Sequence, residues 1–145
     1  MYQIGLNMAN SANQDGSFLA LFGMEYGVSS QYNGHVLIYG IKQLIGWESS
    51  APDVVGNNYE VFNAKTDYDA LFRKVKNDSN AFCYLAHPDF SDFTTDGTYA
   101  TALANAPYNA AYDSAIVGMP LRSGLATSAA NNYNDYSIGN YFNYF

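Results

Sequence analysis

The chain has 145 residues, of which 48% are hydrophobic, 17% aromatic and 13% charged; this fits one folded domain and excludes intrinsic disorder. Six Lys plus Arg against thirteen Asp plus Glu leave a net charge of −7, so there is no positive footprint for nucleic acid or an anionic membrane. No apolar run reaches the ~18 residues of a membrane-crossing helix, and no signal-peptide pattern follows Met1. The length is also short of the roughly 200 residues that close a complete (β/α) barrel.

In chain order, Tyr2, Leu6 and Ala9 recur at near-helical spacing, which predicts a helix over 1–15 with Gly16 as its stop. The apolar run Phe18 to Met24 reads as a buried strand, 27–34 as a loop, and His35 to Ile41 as a second strand rich in β-formers. Residues 47–65 lack periodicity and carry Pro52, Gly56 and two adjacent Asn, so they read as a long excursion. Thr66 is the expected cap of the best helix, with Asp69 as its capping-box partner. Tyr68, Leu71, Phe72 and Val75 then form one helical face. Ala81 to Ala86 and Ala115 to Met119 read as further strands, Tyr99 to Ala106 as a helix, and the Tyr/Phe-rich tail from Asn131 as helical. Apolar strands separated by amphipathic helices indicate an α/β fold with helices packed on a sheet.

Cys83 is the single cysteine and lies in an apolar run, which predicts a buried packing residue without an intramolecular disulfide. Low charge and abundant Tyr and Asn favour an extracellular or periplasmic setting; Asn77-Asp78-Ser79 is formally a glycosylation sequon, a pattern short enough to arise often by chance.

Reactive groups of α/β folds gather at the carboxyl ends of strands. Glu25 follows the first predicted strand, His87 follows the third, and Asp89 lies two residues beyond. His35 opens its strand, and shares a rim with Glu25 only if that strand returns antiparallel. Two imidazoles and a carboxylate suit Zn²⁺, Mn²⁺ or Fe²⁺, and water held between two such ions becomes hydroxide near neutral pH.

The segments Gly23-Met24-Glu25-Tyr26-Gly27, Gly34-His35-Val36-Leu37-Ile38-Tyr39-Gly40 and Leu85-Ala86-His87-Pro88 resemble the PHP (polymerase and histidinol phosphatase) superfamily. The resemblance is strongest to PHP-like metallohydrolases with a GMEWG-type segment followed by GHVN. It continues through Ile45-Gly46-Trp47-Glu48, Asp67 to Leu71, Asp113 to Gly118 and Ser123 to Ala126, in order. It implies a distorted (β/α)₇ barrel with a two- or three-metal centre acting on a small phosphorylated substrate. Glu25 takes the place of the bridging carboxylate, and His35 and His87 those of metal-binding imidazoles, while Asp89 matches no ligand. The family's His-x-His pair and its terminal Asp-x-His group have no counterpart among only two His. The expectation is therefore the central portion of a PHP-like hydrolase, incomplete at both ends. The rival expectation, from 14 Tyr and 9 Phe, is a non-catalytic extracellular binding or self-assembly module.

Overall fold

A computed structural model describes residues 1–27, 34–47, 59–86 and 114–118. The elements run α1 (Tyr2–Ala12), β1 (Gly23–Tyr26), β2 (Val36–Tyr39), β3 (Ile45–Gly46), β4 (Val61–Phe62), α2 (Tyr68–Asn77), β5 (Phe82–Leu85) and β6 (Ile116–Gly118). A four-stranded sheet has the order β1-β2-β5-β6, and β3 and β4 form a separate two-stranded sheet. The β1–β2 and β2–β5 pairs are antiparallel, whereas β5–β6 is parallel. The fold is thus mixed helix and strand around a small mixed sheet. The helices expected over 99–106 and from residue 131 lie outside the described residues.

Helix α2 is the element that builds the core. Tyr68, Leu71, Phe72 and Val75 are all buried, as their spacing predicts. They pack with Tyr26, Val36, Ile38, Cys83 and Leu85, the inward residues of three strands. Burying each large apolar side chain contributes about 1.5–3 kcal/mol, so this one interface supplies much of the stabilisation. The helix is also well terminated. Asp69 stands in its first turn and Lys74 and Lys76 in its last, complementing the helix dipole. The cap is Asp67 rather than Thr66: its Oδ1 accepts the Ala70 N–H at 2.9 Å. A carboxylate one residue later reaches the third helical N–H, which removes the need for the expected Thr66–Asp69 box.

Two sequence expectations shift. The run 18–22 is not a strand; the strand begins at Gly23 and takes in Glu25. Phe18, Leu19 and Leu21 are 56%, 71% and 47% exposed; among the described residues, no strand pairs with them beyond the Gln14–Phe18 bridge. The excursion 47–65 contains β4, which pairs in parallel with β3 through Ile45–Val61 and Gly46–Phe62. Helix α1 forms with Tyr2, Leu6 and Ala9 half-buried but no residue fully buried. Its anchors are Tyr2 Oη donating to the Ile41 carbonyl at 2.9 Å and the Tyr2–Phe22 ring contact at 5.4 Å. Among the described residues, no helix is long and apolar enough to cross a membrane.

Cys83 is fully buried, and its thiol donates to the Ala115 carbonyl at 3.2 Å. Burial pushes this thiol up to about 12. The folded state therefore keeps the proton where the unfolded chain, with a thiol near 9.0, releases it. The corresponding stability is complete below pH 9 and declines as pH rises toward 12, by at most about 1.4 kcal/mol per pH unit. Tyr2, also pushed up to about 12 by burial and then by Glu60 and Asp78, adds a decline of the same sign above pH 10. Urea unfolding between pH 8 and 10.5 should show the decline, and Cys83→Ala should reduce it while leaving the Tyr2 component. An unchanged slope in Cys83→Ala would contradict the buried thiol.

Candidate functional site

The β1–β2 hairpin sets the site. Its register pairs Glu25 with Leu37 and Tyr26 with Val36. Side chains alternate across a strand, so Glu25, His35 and Leu37 share the outer face while Tyr26 and Val36 point to the core. Glu25 and His35 are a diagonal pair, near enough for long side chains to meet. They do meet: His35 Nδ1 lies 2.8 Å from Glu25 Oε1, with side-chain exposures of 21% and 50%. The antiparallel return on which the common rim depended is present. Glu25 itself stands within β1 and not after it, because the strand lies further along the chain than the apolar run indicated.

Local structure supports His35 on several sides. Its carbonyl accepts the Ala86 N–H at 2.9 Å. The carbonyl of the preceding residue, Gly34, accepts Tyr68 Oη at 2.9 Å in a buried bond. Gly27 lies against the ring: its φ is +153°, and a β-carbon there would collide with His35 Cδ2. On the other strand, Tyr26 Oη donates to the Ala64 carbonyl at 3.0 Å and accepts from Asn63 Nδ2 at 3.1 Å. Asn63 is 2% exposed. Its Nδ2 also reaches the Asp67 carbonyl at 3.0 Å, and its Oδ1 accepts Lys74 Nζ at 2.7 Å. A buried amide needs such partners to offset its desolvation.

His87, the third sequence candidate, lies outside the described residues, as does Asp89. Among the described residues, no group of three or more His, Cys, Asp or Glu side chains converges. Glu25 and His35 are thus the portion of the predicted ligand set that the structure brings together. An imidazole whose Nδ1 is held by a carboxylate is aimed so that Nε2 can be offered to a borderline divalent cation. A carboxylate that fixes a ligating imidazole in this way is a common arrangement at metal sites.

The same outer face carries an aromatic cluster. Tyr39 stacks on Phe82 at 5.5 Å between ring centroids, and Tyr84 meets both edge-on at 6.5 and 6.2 Å. Tyr84 lies opposite Leu37 in the register and is 38% exposed.

Gly27, Gly34, Tyr68 and Asn63 were not anticipated as supports of the site. Tyr68 read only as part of a helix face, and its hydroxyl bond spans 34 residues, a separation that no periodicity reports. Comparison of the chain with protein-family models, curated proteins and solved structures gave no match.

Proposed function

We propose that the chain contributes to a PHP-like metal-dependent phosphoesterase, with Glu25, His35 and His87 as its cation-binding residues. The observation that carries this reading is the 2.8 Å contact between His35 Nδ1 and Glu25 Oε1 on a partly exposed sheet face. His35 would ligate through Nε2 while Glu25 holds the opposite nitrogen and so fixes the ring and its tautomer. A carboxylate has about four acceptor positions, so Glu25 could hold His35 through Oε1 and offer its other oxygen to a second cation, on the side of the ring away from Nε2. His87 would add a second imidazole from the end of β5. A divalent cation held there supplies Lewis-acid stabilisation of charge on a phosphoryl oxygen. That neutralisation matters for a chain of net charge −7, which otherwise repels a phosphate dianion. These three residues supply too few donors for a two- or three-metal centre, which in a (β/α)₇ barrel requires further ligands.

A second reading, a binding or self-assembly module, rests on the Tyr39–Phe82–Tyr84 cluster of the outer face. One experiment separates the two. Hydrolysis of a chromogenic phosphomonoester is measured after chelation and after adding back Zn²⁺ or Mn²⁺. The enzyme reading expects activity that returns with metal and falls at least 100-fold in His35→Ala and His87→Ala. No metal-dependent hydrolysis, together with concentration-dependent association in sedimentation, supports the assembly module.

A further inference from the structure

Both strands of the hairpin are tied to the same short stretch of chain, the N-terminal end of α2. On β2, Tyr68 Oη donates to the carbonyl of Gly34, the residue before His35, at 2.9 Å. On β1, Tyr26, the residue after Glu25, is held through its hydroxyl by Asn63 and Ala64. Asn63 in turn donates to the carbonyl of Asp67, the helix cap, at 3.0 Å. Tyr26, Asn63 and Tyr68 are 1%, 2% and 4% exposed, so their hydroxyl and amide groups have lost water and depend on these bonds. The two struts therefore start from the adjacent residues Asp67 and Tyr68 and end one residue from each member of the pair.

We infer that Tyr68 is a positioning residue for the Glu25–His35 pair, and that the Tyr26–Asn63 strut holds the opposite strand against the same helix end. The physical reason is leverage at short range. A side chain contact of 2.8 Å between diagonal positions tolerates little relative strand movement, since hydrogen bonds weaken steeply once distance or angle is lost. Strand pairing at Tyr26–Val36 is the last rung of the β1–β2 ladder, and His35 lies beyond it. Beyond that last rung, the Ala86 N–H and the Tyr68 hydroxyl hold the backbone at Gly34–His35. The inference deepens the proposed cation site and rests on that reading only for metal affinity; the geometry of the metal-free pair stands apart from it.

The test uses the full chain. Imidazole nitrogen and proton NMR of His35, assigned with His87→Gln, is recorded without metal for wild type, Tyr68→Phe and Tyr26→Phe. Tyr2→Phe is the control: it removes a comparable hydroxyl–carbonyl bond, to Ile41 at 2.9 Å, beyond the other end of β2. In Tyr68→Phe and Tyr26→Phe the His35 Nδ1 resonance should move toward that of solvent-exposed imidazole, and in Tyr2→Phe it should not. Zn²⁺ affinity by calorimetry should fall about tenfold in the first two variants. A folded Tyr68→Phe with wild-type His35 resonances overturns the inference, as does an equal change in Tyr2→Phe, which would mean general loosening. Should Tyr68→Phe fail to fold, Tyr26→Phe decides on the same criteria. A wild type with the His35–Glu25 signature, lost in Tyr68→Phe, but with no Zn²⁺ binding supports the positioning role and removes the metal reading.

Discussion

Replacing Phe72 with alanine should destabilise the protein by about 3–5 kcal/mol, the range for a fully buried aromatic whose cavity collapses only in part. Phe72 is 0% exposed and belongs to the cluster that joins α2 to the inner face of the sheet. Its ring also lies 6.3 Å from that of Tyr68, so the cavity would open next to the helix end that holds Gly34. A small domain is stable by only about 5–15 kcal/mol in total, and a loss of this size removes a large part of it. Urea denaturation of wild type, Phe72→Leu and Phe72→Ala should give a graded series. Met8→Ala in α1, at a residue 68% exposed, should stay within about 0.5 kcal/mol. A cost below 1 kcal/mol for Phe72→Ala would mean that α2 does not form the core.

The second large effect is at Gly27. Gly27→Val places a branched side chain where even a β-carbon meets the His35 ring, at a φ that side chains rarely adopt. The imidazole must swing away from Glu25, and on the proposed cation reading affinity for a divalent cation should fall about 100-fold, the upper end for loss of an orienting partner. Because Tyr26 and Val36 still pair, the core should survive. Far-ultraviolet circular dichroism and the urea midpoint should thus change far less than metal binding does. Equal losses in both would make Gly27 a fold residue and not a site residue.

What was legible in the sequence follows physical range. The α2 face could be read in full, since i, i+3, i+4 spacing is a local property and those four residues are the ones buried. The cap was misplaced by one residue because Thr66 and Asp67 are both good caps, and only the backbone path selects Asp67. The run 18–22 looked like a strand because apolar residues signal burial without naming a partner, whereas pairing with β2 starts at Gly23. The two-residue β3 and β4 are too short for any period to register. Glu25 and His35 were legible as candidates by residue type, and their meeting followed from one assumption, an antiparallel return. The supports from Tyr68, Tyr26 and Asn63 were not legible, because each depends on contacts 34 to 38 residues apart.

Low charge and only two histidines leave few groups able to hold a cation. Calorimetric titration of the metal-free chain with Zn²⁺ is the most direct measurement, comparing wild type with Glu25→Gln and His35→Ala. If the pair holds a cation as proposed, wild type binds saturably, Glu25→Gln binds at least tenfold more weakly, and His35→Ala shows no measurable site. Wild-type affinity retained in both variants would show that the Glu25–His35 pair is a surface ion pair and not a cation site.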